Sequence, residues 1–573
     1  MQDDETETKT ASTDSTNNKT LSGWNRFIDG FKRQNDVSDI KGVDKSDFEA
    51  DNIEEKPTVM KRNLKNRHIQ MIAIGGSIGT GLFVGSGAAL SSGGPGSLLL
   101  CYFLISTMIF TTVQALGELS VAYPVSGSFL SLNVRFLSPA WGFCMSWNYL
   151  LQWLIGLPLE LVACAMTMRY WTDDVHPTIW VAIFLSLITI INLFGVKGFA
   201  EVEFSFSIIK IVAVIGFCIL GIVINVGGGG SKTGYIGGKF WDTPGAFNNG
   251  FNGFCSVFVS AAYSFSGTEL VGLAAAETSN PRKTLPKATK QVFWRITIFY
   301  MVSLTIIGLL VPYNDPRLIG NGGGAEASPF VIAVRNAGIK VFPSIMNAVI
   351  LIAVLSVANS SVFATSRTFK TLADQGFIPS IFGYIDKSGR PLIGILASLI
   401  FGLLGFLAAS PHQGEVFSWM MALSGLSSIF TWMSICLVHI RFRQVLKYQN
   451  RSVDELVFKS LVGTLGSWWG VILNIIILIF EFWTGLFSSK DYKEIDILHF
   501  FKINLNIFVL LGMIIIYTIW KGKDSQFFVK IEDIDSEEDR REENIEGLKE
   551  IIRLEQEEFG SKPWYCRFYR TWC

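Results

Sequence analysis

Long apolar stretches recur between residues 67 and 520, separated by short polar ones, whereas residues 1–66 and 521–573 are polar and charged. A bilayer core of about 30 Å needs about 20 apolar residues per helix. Runs of that kind predict spanning helices over 68–90, 97–121, 139–168, 178–196, 204–226, 251–277, 291–312, 342–366, 391–409, 415–440, 465–488 and 498–520. The pattern predicts an all-α integral membrane protein whose twelve transmembrane helices occupy a domain over 67–520. Segment 1–66, rich in Asp, Lys, Thr and Ser and without an apolar core for a signal peptide, reads as a disordered cytosolic tail. In the last segment, 521–573, Ile545, Leu548, Ile551, Ile552, Leu554 and Phe559 recur at near-helical spacing. They predict a short amphipathic cytosolic helix over 542–559.

Two of these helices are interrupted. In the first, Gly75-Gly76-Ser77-Ile78-Gly79-Thr80-Gly81-Leu82-Phe83 breaks an apolar run; in the sixth, Tyr263-Ser264-Phe265-Ser266-Gly267-Thr268-Glu269 does the same. Unwound backbone at membrane depth is tolerated only where it lines a cavity or binds something. Either cluster alone also fits close packing of helices through small residues. Together they fall in matching positions of two five-helix halves, the arrangement of a transporter built from inverted repeats with its site at mid-membrane. Two helices are then extra. Amides freed at the first break suit a carboxylate, and carbonyls freed at the second suit an ammonium group. A ligand carrying both charges is an amino acid. Ser77, Ile78, Gly79, Thr80, Gly81, Tyr263, Ser264, Phe265, Ser266 and Glu269 are the candidate substrate residues.

Charge adds an orientation. Lys61, Arg62, Lys65 and Arg67 precede the first helix, and further cations cluster at Arg282–Lys290, Arg367–Arg390 and Arg441–Lys459, all in loops predicted on one side. The other side has few, among them Arg169, Lys239 and Arg317. The excess predicts that both ends lie in the cytosol. A net charge of zero implies no nucleic-acid partner. Eight cysteines lack metal-ligand spacing, so no metal or disulfide framework is expected. Gly227–Gly230 and Gly322–Gly324 lack the Lys-Ser/Thr of a phosphate loop and read as linkers, which argues against an ATP-driven pump. With no nucleophile or acid pair presented at either face, an enzyme is not expected.

Ionisable groups inside a bilayer need a partner or a task. Lys210, in the fifth helix, can exchange a proton; snorkelling to the interface or pairing with Glu203 would explain it otherwise. Glu269 follows the second break, where it either attracts the ammonium or bonds freed backbone amides. Glu160 in the third helix pairs with a lysine or helps carry protons. Glu118 sits near the cytosolic end of the second helix and reads as solvated or gate-forming. Ser424 in the tenth helix suits a pocket or simple packing. His439, Arg441 and Arg443 read as interfacial anchors without chemistry.

Over residues 60–573 the chain resembles the fungal amino-acid permeases of the amino-acid/polyamine/organocation superfamily, most closely the general, broad-range type. The resemblance rests on Ile74-Gly75-Gly76-Ser77-Ile78-Gly79-Thr80-Gly81-Leu82-Phe83, Gly117-Glu118-Leu119 with Tyr123-Pro124, Ser266-Gly267-Thr268-Glu269-Leu270-Val271-Gly272, Asn280-Pro281-Arg282-Lys283, and Leu423-Ser424-Gly425-Leu426-Ser427. Ser77 stands where many members have Thr. The resemblance implies proton-coupled uptake across the plasma membrane, with H+ as coupling ion and no cofactor. It implies a proton-coupling role for Lys210, an acid of the family at Glu160, and a side-chain pocket at Ser424. It also implies ubiquitin-ligase machinery acting on Lys9 and Lys19, and a palmitoyl group on Cys573, beside membrane lipids. A non-transporting amino-acid sensor on the same scaffold, or a permease narrow for one amino-acid class, is the alternative.

Overall fold

The computed structural model describes residues 30–33, 64–228, 234–278, 281–318, 328–487, 497–522 and 527–535. Lys9, Lys19, Cys573, the expected helix over 542–559, part of Gly227–Gly230 and all of Gly322–Gly324 lie outside the described residues.

The first expected helix begins as α1 (Asn66–Ser77), passes through a π-helical turn (Gly81–Gly85) and continues as α2 (Ser86–Ala122). Gly94 kinks α2 at φ 77°, where a Cβ would lie 2.7 Å from the Ala246 carbonyl oxygen, so only glycine fits. There follow α3 (Phe129–Phe136), α4 (Pro139–Met168), α5 (Pro177–Leu193) and α6 (Gly195–Asn225). Next come α7 (Gly250–Phe265) and, beyond a break, α8 (Leu270–Leu273) with a 3₁₀ turn (Ala274–Glu277). The chain proceeds through α9 (Pro281–Leu310), α10 (Pro329–Asn336) and α11 (Phe342–Asp374). After α12 (Leu392–Gly402), prolonged as 3₁₀ turns (Leu403–Ala409), come α13 (Gln413–Tyr448), α14 (Gly463–Leu486) and α15 (Ile497–Lys521). Among the described residues ten stretches are long and apolar enough to cross a membrane, one of them the 56-residue Arg67–Ala122, and Pro177–Leu193 is a shorter apolar helix.

Burial sorts the helices into centre and rim. The apolar windows of α4, of Gly250–Glu277 and of α11 are 89%, 94% and 83% buried, against 33% for α6 and 22% for α15. Ile208, Val212, Ile215, Ile219 and Ile222 on α6 are exposed, an apolar surface that suits lipid and not water. The broken segments therefore sit in the middle, with α4 and α11 against them.

Several helices run past the ends that hydropathy predicts, because an apolar window reports bilayer thickness and hydrogen-bonded turns continue beyond it. α9 begins at Pro281, α11 reaches Asp374 and α13 reaches Tyr448, so Arg282, Lys287, Lys290, Arg367, Lys370, Arg441, Arg443 and Lys447 lie on helices and not in loops. Some of these cations are buried. Arg367 donates to Glu277 at 2.8 Å, and in the following loop Arg390 donates to Asp386 at 2.6 Å.

The readings of Glu118 and His439 require correction. Glu118 is not solvated: it is buried and accepts from Arg443 Nε and Nη2, both at 2.6 Å, and from the Ser460 amide at 2.7 Å. His439 is no interfacial anchor: it is fully buried, its Nδ1 2.7 Å from Ser467 Oγ. Its Nε2 lies 3.1 Å from Glu118 Oε1, a close approach without hydrogen-bond alignment. Arg441 donates to the carbonyls of Phe136 (3.3 Å) and Val529 (2.5 Å). The extra turns of α13 account for this, since they carry its last cations in against α2, α3 and the segment before α14.

Two pieces of the tails meet this face. The Lys387 amide donates to the Lys32 carbonyl at 2.8 Å and the Arg390 guanidinium lies 4.2 Å from the Phe31 ring. The Val529 amide donates to the Leu137 carbonyl at 3.0 Å, and Ile534 packs in a cluster with Leu119, Phe442 and Leu456. Removing one partner of a buried ion pair strands the other, at a cost of about 3–5 kcal/mol. Glu118→Ala is expected to lower the thermal unfolding midpoint of the purified protein markedly, with Glu118→Gln intermediate; an unchanged midpoint would contradict the burial described.

Candidate functional site

The two breaks touch. α1 ends at Ser77, Ile78 is extended (φ −83°, ψ 94°), and the helix resumes at Thr80. α7 ends at Phe265, and Gly267 takes φ 95°. A Cβ on Gly267 would lie 2.7 Å from the Gly76 carbonyl carbon, and one on Gly81 would lie 2.5 Å from the Ser264 Cα. These glycines thus do both things weighed for them: they permit the unwinding and they let two backbones approach.

Between the breaks lies a narrow cavity of about 20 Å³, lined by Gly76, Ser77, Gly79, Thr80 and Gly81 from the first and by Tyr263 and Ser266 from the second. The remaining walls are Trp153, Gly156 and Glu160 of α4, Val357 and Ser361 of α11, and Ser424 of α13. Such a volume holds about one water. Away from the tail-bearing face, one turn further along the same helices, opens a vestibule of about 1060 Å³ lined by Val84, Gly85, Arg169, Asp173, His412, Glu415, Phe417 and Met421 among others. At its margin, hydrogen bonding from Arg317 holds the Asp315 carboxyl below the usual carboxylate range.

Glu160 joins the two breaks chemically. Thr80 Oγ1 of the first break donates to one of its carboxylate oxygens, and Tyr263 Oη of the second donates to the other at 2.8 Å. Among the described residues it forms no ion pair with a lysine. Ser266 Oγ lies 2.9 Å from Gln152 Nε2, which donates to it, and 3.1 Å from Ser428 Oγ. Ser424 Oγ sits 3.4 Å from the Gln152 carbonyl. Ser77 turns its hydroxyl back to the Ala73 carbonyl at 2.7 Å.

Four candidates lie elsewhere. The Ile78 carbonyl accepts from Lys210 Nζ at 3.1 Å. Ser264 Oγ pairs with Tyr102 Oη at 2.7 Å, and the Phe265 ring packs on Tyr300 with centroids 4.7 Å apart. Glu269 does not face the cavity: the Gly267 amide approaches both its oxygens at 3.2 and 3.3 Å, and Trp432 Nε1 donates to it at 3.1 Å. It is the structural acid of the break, satisfying an amide that the unwinding freed, and Glu160 stands at the cavity where Glu269 was expected. Trp153, Gly156, Val357 and Ser361 carry no local sequence signal, being ordinary members of apolar helices.

Lys210 neither snorkels nor pairs directly with Glu203. It is fully buried, and Nζ donates to the Gly75 carbonyl (2.8 Å), the Ile78 carbonyl and Ser356 Oγ (2.8 Å). Ser356 Oγ bonds in turn to Glu203, which also accepts from Asn359 at 3.4 Å. Three acceptors match the three hydrogens of an ammonium group. The lysine thereby clamps the end of α1 at the first break. A further buried acid, Glu481 of α14, has neither oxygen hydrogen-bonded and lies apart from this site.

Comparison with known proteins agrees with this architecture. Residues 68–528 match the family model described as amino acid permease. The chain is 54% identical to the general amino-acid permease GAP2 of Candida albicans over 555 residues, covering 96% of this chain and 93% of that one. It is 50% identical to the general amino-acid permease GAP1 of Saccharomyces cerevisiae, with 96% and 92% covered. The histidine permease of Saccharomyces cerevisiae is 48% identical, with 90% and 86% covered. A multi-pass helical membrane protein whose central helices break side by side around a small polar cavity, this chain belongs to the amino acid permease family.

Proposed function

We propose that the chain imports amino acids across the plasma membrane by proton symport, holding the zwitterion between the two breaks and exposing the cavity alternately to each side. The observation that carries this reading is Glu160, which accepts hydroxyls from both breaks at the cavity wall. Its carboxylate is a counter-charge for an ammonium group, while the first N–H groups of the helix resuming at Thr80, which have no partner one turn back, suit the carboxylate. The narrow cavity beneath a wide vestibule fits a state open toward one side with the site contracted.

In this reading Arg67–Ala122 supplies two spans and α5 another, giving twelve, arranged as five plus five with α14 and α15 added. The tail-bearing face, rich in Lys and Arg, is cytosolic and the vestibule opens outward. Buried pairs such as Glu277–Arg367 and Glu118–Arg443 close the cytosolic side. Small walls at Gly156, Ser266, Ser361 and Ser424 leave room for varied side chains and suit a broad range, as do the relatives named general permeases. Proton coupling follows from Lys210: an ammonium satisfies all three of its acceptors, and a neutral amine has only two hydrogens, so losing the proton loosens the first break.

Uptake of labelled amino acids by cells lacking their own permeases is expected to rise well above background and to fall when the proton gradient is collapsed. Background uptake would overturn the transport reading, and uptake indifferent to the gradient would overturn the coupling. Lys210→Met is expected to retain substrate binding, weakened because the first break loses its three donor contacts, while losing accumulation against a gradient. Full accumulation by this variant would remove Lys210 from the coupling mechanism.

A further inference from the structure

One side chain outside the cavity bonds to both breaks. Tyr300, on α9, places its hydroxyl 2.7 Å from the Ser77 carbonyl oxygen and 2.5 Å from that of Ser264. Ser77 ends α1, and Ser264 lies in the last turn of α7. Carbonyls in a last turn lose their intrahelical partner, and in a dry interior an unmet one is costly. Tyr300 meets this need from a third element.

The ring is seated independently of its hydroxyl. Tyr300 is fully buried, edge-on to Phe265 at 4.7 Å between centroids and to Tyr102 at 6.1 Å. A phenylalanine would occupy the same seat. The hydroxyl, however, has one hydrogen and two carbonyls before it. It reaches both only while the broken segments keep the contact seen at Gly76 and Gly267. If they part, the hydroxyl stays with one and the other carbonyl needs a new donor.

We propose that Tyr300 is a positioning residue that ties the two broken spans together while the cavity is contracted. Its hydroxyl hydrogen passes between the Ser77 and Ser264 carbonyls as the spans move, so it governs the rate of the conformational step and not substrate affinity. This rests on the alternating-access reading above. The contracted state is one that every transport cycle crosses, and removing the tie raises its free energy.

The test is Tyr300→Phe beside the parent and Tyr102→Phe, each purified whole and reconstituted in vesicles more acidic outside than inside, with amino-acid affinity and maximal uptake per molecule both measured. Loss of one buried hydrogen bond is expected to lower the maximal rate of Tyr300→Phe on the order of tenfold, with affinity held within about threefold. Tyr102→Phe also loses a buried hydrogen bond, to the Ser264 hydroxyl, but that hydroxyl keeps its bond to the Ser260 carbonyl at 2.8 Å and the Tyr300 hydroxyl stays before both break carbonyls, so it is expected to keep nearly the parental rate. An unchanged rate for Tyr300→Phe, a loss seen in affinity with the rate preserved, or an equal loss in Tyr102→Phe would overturn the proposal. So would failure of Tyr300→Phe to fold while Tyr102→Phe folds, because a positioning role leaves folding intact. A parent that transports nothing would instead overturn the transport reading.

Discussion

Backbone groups freed in the middle of a membrane protein have no water to turn to, so each must find a partner inside the protein. Three buried polar side chains near the two breaks answer that demand. Lys210 takes the carbonyls of Gly75 and Ile78, Tyr300 those of Ser77 and Ser264, and Glu269 the amide of Gly267. Glu160 differs from the rest. It binds side-chain hydroxyls from both breaks, Thr80 and Tyr263, and faces the cavity. The other three meet backbone groups at the breaks; Glu160 presents its carboxyl group to the cavity.

The same division explains which features were legible in the sequence. Breaks are written locally, in glycine clusters that interrupt apolar runs, and the structure has α1 ending at Ser77 and α7 at Phe265. The partners of those breaks come from distant helices. Nothing near Tyr300 in Thr297-Ile298-Phe299-Tyr300 marks it among the many aromatics of an apolar helix, and its significance lies in contacts with other helices, at Ser77 223 residues away and at Ser264 36 residues away. Glu269 misled for a related reason. Proximity in sequence to the second break suggested substrate contact, whereas its carboxylate turns to the Gly267 amide and the Trp432 indole.

Charge near helix ends was harder to read than apolar runs were. Hydropathy locates the slab of lipid but is blind to turns beyond it, so Glu118, His439 and Arg443 looked like interfacial residues. The longer α13 and the chain before α14 enclose them instead, with the Ser460 amide completing the carboxylate's shell. Buried pairs on the tail-bearing face and a wide vestibule on the other give the molecule two unlike ends. In the proposed reading an amino acid has to widen the cavity of about 20 Å³ that lies between them.

In the proposed mechanism Glu160 provides the charge that recognises an ammonium group between the breaks. Measuring the affinity of Glu160→Gln for an amino acid and for the same molecule lacking its amine tests this most directly. Affinity for the amino acid is expected to fall by at least about tenfold, the size of a lost charged hydrogen bond, while affinity for the amine-free analogue stays at its parental level. An amino-acid affinity equal to the parent's, or equal losses for both ligands, would contradict it.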